Sequence, residues 1–311
     1  MQRGYKFETR EEWLAFRHNY IGGSDAGAVI GLNPYCSAFT LWAQKSGKIP
    51  EFEGNITTSV GSYLEDFVAD LFCKEKGFKV RRCNSTIVND KYPWACADID
   101  REILVEDAIL EIKTTNSFPV IKKFKNGEYP EQWYAQVMHY LAITGKSKAY
   151  IAVLIACRDF QIFEVPRDDE EITALMQAEK DFMERVKNGT PPTPDGTDST
   201  TNTISTLYDE GSMEHGVVDL SMMEQDLKAL SAIKGQIKSL NDLADGINNK
   251  IKLCLQDEQR GISLSYKISW LPAEKKTLDA KALIADHPEL DLAKYYKTST
   301  YRTLRIAERK D

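Results

Sequence analysis

The sequence predicts an α/β core, a mixed central sheet flanked by helices, followed by a C-terminal α+β appendage carrying a long amphipathic helix. Three observations support this. Helical and strand-like patterns alternate up to about residue 190, as they do in α/β folds. Ala149 to Cys157 is apolar at nearly every position, the pattern of a strand covered on both faces. The segment Asn188 to Thr203, NGTPPTPDGTDSTTNT, packs three prolines and two glycines into sixteen residues, a composition that neither a helix nor a central strand readily carries. It predicts a linker over 191–214 between a first domain, 1–190, and a C-terminal extension, 215–311.

Within the first domain, Arg10 to Arg17 reads as a short helix, and IGGSDAGAVIGLNPY follows as a glycine-rich turn entering a small-residue helix near Asp25. Gly61 to Lys76 is helical, with Leu64, Val68, Leu71 and Phe72 on the inner face. Short strands are expected at Lys79 to Arg82, Ser85 to Val88, Trp94 to Ile99 and Ala108 to Lys113, then a helix from Gln132 to Ile143. Phe160 to Val165 pairs with the apolar strand after a turn at Arg158-Asp159. In the extension, Leu227, Leu230, Ile233, Ile237, Leu240, Leu243, Ile247, Ile251 and Cys254 recur at helical spacing between Met222 and Leu255. That stripe is a face for packing or self-association, not for catalysis. ISLSYKISW then suggests strands, and Leu278 to Ala285 a helix ended by His287-Pro288.

Composition removes several classes of function. With 42% apolar and 28% charged residues, global disorder is excluded. The longest apolar stretch, around Tyr150 to Cys157, is far short of the roughly 20 residues of a membrane span, and the charged N-terminus is unlike a signal peptide. A soluble, cytoplasmic protein is expected. The six cysteines show no CxxC spacing and the four histidines (His18, His139, His215, His287) fall on separate elements, so neither a zinc site nor an iron-sulfur cluster is expected. There is no phosphate-binding G-x-x-x-x-G-K-[ST] loop, hence no motor. A net charge of -7 argues against a protein that coats nucleic acid, yet it is compatible with a phosphodiesterase, whose centre concentrates carboxylates. Over 217–311, 16 Lys/Arg face 14 Asp/Glu, so the acidity lies in the first domain.

The sharpest chemical feature is Asp100 followed, across a turn-like insert, by Glu111-Ile112-Lys113. Side chains alternate along a strand, so Glu111 and Lys113 share one face and Ile112 turns to the other. Two converging carboxylates make a hard oxygen site suited to Mg²⁺, with Mn²⁺ as a substitute, and the amine can balance charge developing on phosphorus. The same pattern also describes an ordinary cross-strand charge pair. Asp98 lies two residues before Asp100 on the same expected face, which leaves two aspartates as candidates. Gly22, Gly23 and Ser24 precede a helix, where free N–H groups can meet an anion, with Arg17 nearby; plain helix capping accounts for the same residues.

Four segments in order resemble the PD-(D/E)XK nucleases of the YqaJ viral recombinase family, relatives of lambda exonuclease. They are Arg17 with Ile21 to Tyr35, GSYLEDFVADLF (Gly61 to Phe72), ACADIDREILVEDAILEIKTTN (Ala95 to Asn116), and EQWYAQVMHYLAITG (Glu131 to Gly145). The tail segment YKISWLPAEKKTLDAKALIADHPEL resembles the extension of some members. The resemblance implies a restriction-endonuclease-like core with Asp100, Glu111 and Lys113 as its triad, and with the Ile112 carbonyl and Glu65 as further metal ligands. It also implies that Gln136 faces the metal site, that Arg17 and Ser24 receive a terminal 5' phosphate, and that Thr114, Thr115 and Asn116 contact DNA phosphates. Tyr140, one turn from Gln136, is either core or part of the DNA site. The implied activity is Mg²⁺-dependent 5'-to-3' digestion of duplex DNA ends by a phage or prophage protein of a bacterial cytoplasm. The product is a 3' single strand passed to an annealing protein, and the implied assembly is a trimer. The alternatives are a structure-specific or restriction-like endonuclease and a non-catalytic module that holds DNA ends.

Overall fold

The run Lys148–Ile155 is buried at seven successive positions, which requires cover on both faces, and in the computed structural model of the chain it is an interior strand of a five-stranded mixed sheet. The structure describes residues 1–208, 216–287, 289, 292–297 and 302–307. The chain divides into two units, Met1–Asp209 and Glu210–Asp311.

The first unit opens with β1 (Gln2–Tyr5), α1 (Arg10–Arg17), α2 (Gly23–Val29), α3 (Ala38–Lys45) and α4 (Ile56–Lys76). Short strands follow: β2 (Val80–Arg82), β3 (Thr86–Asn89), β4 (Cys96–Ala97) and β5 (Arg101–Ile103). Next come β6 (Ala108–Thr115), α5 (Phe118–Phe124), α6 (Glu131–Thr144), β7 (Lys148–Ile155), β8 (Asp159–Pro166), α7 (Asp169–Asn188) and α8 (Asp198–Leu207). The main sheet runs β2-β5-β6-β7-β8, and only β6 and β7 are parallel. Parallel neighbours need a crossover, which α5 and α6 supply. A smaller sheet, β1-β3-β4, packs beside α6.

Alternation on the sheet separates two cores. Ile109, Ile151 and Val153 join Val137 and Leu141 of α6 and Ile172 and Leu175 of α7 on one face. Leu110, Ile112, Tyr150 and Ala152 join Val68, Ala69 and Phe72 of α4 on the other. Odd-numbered residues of β6 therefore face α6, and this places Glu111 and Lys113. The expected mixed sheet flanked by helices is what the structure shows.

Several elements differ from expectation. The insert between Asp100 and Glu111 contains β5, which pairs antiparallel with β6; three residues carry too short an alternation to read. The strand expected from Trp94 to Ile99 shrinks to β4, which belongs to the smaller sheet, so residues 98–100 cross between sheets. The stretch read as linker contains α8. Its threonines form a hydroxyl network: Thr197 caps the helix, Thr200 donates to Ser37 at 2.7 Å, and Thr203 meets Thr40 at 2.8 Å. These side-chain bonds to α3 and its cap stabilise a helix that low propensity argued against. Residues 209–214 of that stretch lie outside the described residues. The helices α3, α5 and α7 and strand β1 complete the unit.

The second unit holds α9 (Glu224–Leu255), an antiparallel hairpin of β9 (Arg260–Ile262) and β10 (Lys267–Ser269), and α10 (Ala280–Asp286). These are the helix, strands and helix anticipated there; Pro288 lies outside the described residues. No described helix is long and apolar enough to cross a membrane.

Candidate active site

Glu111 and Lys113 leave β6 on the α6 side, where α6 presents Gln136 and Tyr140 one turn apart. The Lys113 ammonium lies 2.7 Å from Glu111 Oε1 and donates to Gln136 Oε1 at 2.7 Å. The Gln136 amide nitrogen donates to Glu111 Oε1 at 2.8 Å and to the Tyr140 hydroxyl at 3.1 Å. A glutamine suits this position because its two ends answer opposite charges, an oxygen for the ammonium and an NH₂ for the carboxylate. Glu111 and Gln136 are both buried.

Asp100 arrives from the crossing between the sheets. Because β5 ends its pairing with β6 at Leu110, the Ile112 N–H has no partner on that side, and Asp100 Oδ2 accepts from it at 2.7 Å. Burial, then the neighbouring Glu111 carboxylate, pushes the Asp100 carboxyl well above its ordinary range, with Lys113 and the Ile112 N–H opposing. Burial likewise raises Glu111, against the pull of Lys113, and Glu65 adds to the repulsion at both. Lys113 alone does not return either carboxyl to its ordinary range.

Glu65, on α4, borders the same depression of about 310 Å³ as Asp98 and Asp100. Its Oε2 lies 3.4 Å from Arg82 Nη2 and 3.8 Å from Arg101 Nη1. Arg101, nearly buried, is held by Asp66 at 2.6 Å and by the Asp100 carbonyl at 2.7 Å. Asp98 does not share the Asp100 position: its Oδ1 accepts from Trp13 Nε1 at 3.3 Å and from the Thr86 hydroxyl. The expected common strand face fails because residues 98–100 are not strand.

Among the described residues no group of three His, Cys, Asp or Glu side chains is placed to hold a metal ion. The donor chemistry nevertheless fits Mg²⁺, which binds through one or two carboxylates and completes its shell with water and substrate phosphate. Asp100 and Glu111 are two such carboxylates, with repulsion that a divalent cation relieves.

A second cluster lies around α2. The helix begins at Gly23 rather than near Asp25, and its N-cap is Gly22, whose N–H donates to Asp25 Oδ2 at 3.0 Å. Arg17 donates to the Ser24 hydroxyl and lies 3.5 Å from Asp25, while the buried Lys45 ammonium lies 3.3 Å from Asp25 and 3.1 Å from the Arg17 carbonyl. Burial opposes the Asp25 charge, but Arg17 and Lys45 overcome it and hold its carboxyl below the ordinary range. Arg17 thus pairs with Asp25. Tyr140 joins the two clusters. Its ring packs against Gly23, where an added Cβ would fall 2.3 Å from Tyr140 Cε1.

The remaining candidates separate. Thr114 and Thr115 end β6 half-buried, and the Thr115 hydroxyl accepts from the Ser117 N–H at 3.2 Å; Asn116 is exposed. His139 is fully buried, its ring held by the Glu179 carboxylate at 2.7 Å and by the Cys96 carbonyl at 2.9 Å. His215 lies outside the described residues. Sequence reasoning missed Lys45, Asp25, Arg82 and Arg101. Arg101, next to Asp100, was the most accessible of these, but a lone arginine in a short strand carries no pattern.

A family model described as the YqaJ-like viral recombinase domain matches residues 12–147. The chain is 35% identical over 305 residues to "Uncharacterized protein YqaJ" of Bacillus subtilis (strain 168), covering 96% of this chain and 95% of that protein. Among solved structures it is similar to an alkaline exonuclease from Laribacter hongkongensis, at 19% identity and TM-score 0.48, covering 58% of this chain and 94% of that one. It is also similar to a phage related exonuclease from Haemophilus somnus 129PT, at 13% identity and TM-score 0.44, covering 56% and 98%.

Proposed function

We propose that this chain, which belongs to the YqaJ-like viral recombinase family, is a Mg²⁺-dependent exonuclease that digests one strand of duplex DNA from its 5' end. The 3' strand left behind would serve a single-strand annealing protein. The observation that carries this reading is the geometry around β6: Glu111, buried, and a lysine fixed to it by Gln136, with the half-buried Asp100 held beside them by the Ile112 N–H. The reading assigns catalysis to residues 1–190 and leaves 215–311 as an extension, with three copies enclosing the duplex.

Asp100, Glu111, Glu65 and the Ile112 carbonyl would hold Mg²⁺, which supplies Lewis acidity toward the phosphoryl oxygens. Lys113 offsets charge gathering on the phosphoryl group, and the Gln136 carbonyl holds its ammonium at the site before substrate arrives, so little reorganisation is needed. Arg17 and Ser24 bind the terminal 5' phosphate, and Asp25 with Lys45 fixes the guanidinium that does so. Binding the end at a set distance from the carboxylates turns binding energy into positioning of the scissile bond. Thr114 and Thr115 contact neighbouring phosphates, and Tyr140 couples the end pocket to Gln136.

The test compares a 5'-phosphorylated linear duplex with a covalently closed circle, in Mg²⁺ and in EDTA. Loss of the linear duplex alone, in Mg²⁺ alone, is expected. Cutting of the closed circle would establish an endonuclease instead, and binding of ends without digestion would leave a non-catalytic module.

A further inference from the structure

The long helix α9 presents an apolar stripe that the other described elements of its own unit leave uncovered. Leu255 is its one buried residue, whereas Ile233, Ile237, Leu240, Leu243 and Ile247 are 51, 52, 64, 67 and 59% exposed. Helices in proteins owe most of their stability to a packed apolar face, so 32 residues of helix without one call for a partner.

The stripe is more regular than amphipathic packing needs. Leu230, Ile233, Ile237, Leu240, Ala244, Ile247, Ile251 and Cys254 alternate at intervals of three and four, the repeat that keeps one seam facing another helix along its length. Gly235 and Gly246, together with Lys238, Asp242, Asp245 and Lys252, all fall outside this seam. Seam and flanking positions of such a helix amount to about 18 residues per copy, just under the 20–30 a side of a standard specific interface.

We propose that α9 pairs with α9 of a second copy of this chain as an antiparallel coiled coil, a two-fold contact of one surface with itself. Side-chain volume selects the direction. Centred on Asp242, antiparallel pairing sets small against large: Ala244 meets the partner's Leu240, and Cys254 meets the partner's Leu230. Ile233 meets the partner's Ile251, and Ile237 the partner's Ile247. Parallel pairing stacks Ala244 on the partner's Ala244 and leaves a void that close packing disfavours. The flanks agree. Antiparallel pairing sets Leu243 on the partner's Leu243, Lys234 by the partner's Asn248, and Gln236 by the partner's Lys250, with no like charges opposed. Parallel pairing sets Leu243 against the partner's Asn248 and strands Lys250 against the partner's Leu255.

Disulfide trapping in the full chain tests the direction. Cys157→Ser removes the exposed thiol of the first unit, and Leu230→Cys is added to it. Residues 230 and 254 of one straight helix are about 36 Å apart and cannot bridge within a copy. Oxidation with diamide is expected to give a covalent dimer on a non-reducing gel, lost when Cys254→Ser is also present. A covalent dimer from Cys157→Ser alone, made through Cys254, would show parallel helices and overturn the proposal, as would the absence of any dimer. Ile237→Asp with Leu240→Asp is expected to halve the mass at sedimentation equilibrium; an unchanged mass would overturn it too.

Discussion

Gln136 holds an ammonium and a carboxylate with one side chain, and its neighbours show how finely charge is set here. Asp100 is raised by burial and by Glu111, and Glu111 by burial and by Glu65, so near neutral pH both carboxyls cost the metal-free protein stability, a cost that a bound cation would relieve. Mg²⁺ should therefore raise the melting temperature of the wild type. Asp100→Asn keeps an acceptor for the Ile112 N–H but removes a charge. It should melt higher than wild type without metal, by roughly 2–4 °C per kcal/mol relieved, and gain little from Mg²⁺. Scanning calorimetry with and without Mg²⁺ decides; a full Mg²⁺ response in Asp100→Asn would separate this aspartate from the metal. Arg17 supports a different measurement. If it binds a terminal phosphate, 5'-phosphorylated duplex is digested faster than 5'-hydroxyl duplex, and Arg17→Ala removes most of that difference while sparing the hydroxyl substrate. A coupling between protein and DNA changes within about 0.3–0.5 kcal/mol of zero, the usual additivity error, would remove the pocket.

At the scale of elements, contact between α2 and α6 brings the Arg17 and Ser24 cluster toward the carboxylates, and Gly23 permits it. Its missing side chain makes room for the Tyr140 ring, which is 5% exposed and anchored by Gln136. Gly23→Ala should cost about 1–3 kcal/mol, as overpacking in a core does. Gly196→Ala, with nothing within 4 Å of the added carbon, should not; equal melting temperatures for the two variants would contradict close packing at Gly23. The elements legible in the sequence were those with strong periodicity. The β7 run, α6, α4 and α9 showed their faces directly, and alternation on β6 correctly placed Glu111 with Lys113. Short elements were not legible: β4 and β5 hold two and three residues, less than one readable repeat. For that reason Asp98 and Asp100 read as one face. The helix α8 was hidden for another reason, since its support comes from hydroxyl bonds to Ser37 and Thr40, more than 150 residues distant.

For the molecule as a whole, one source of pH-dependent stability is the buried pair His139 and Glu179, which joins α6 to α7. Burial acts to lower the imidazole, but the Glu179 carboxylate and the Cys96 carbonyl outweigh it, and His139 is raised above its ordinary value. A histidine raised by folding stabilises fully below its unfolded pKa of about 6.5, and that contribution is lost as pH rises through the folded value. Glu179→Gln should lower stability by about 3–5 kcal/mol, as breaking a buried pair does, and flatten the fall in melting temperature from pH 6 toward alkaline pH. Parallel slopes for variant and wild type would sink this. The arrangement of β6 and α6 has one more consequence, for synthesis in the cell. Glu111 and Lys113 are translated before α6, so the proposed site is incomplete until Gln136 has left the ribosome. Stalled nascent chains ending before Glu131 should leave linear duplex DNA intact, whereas released full-length chains should digest it.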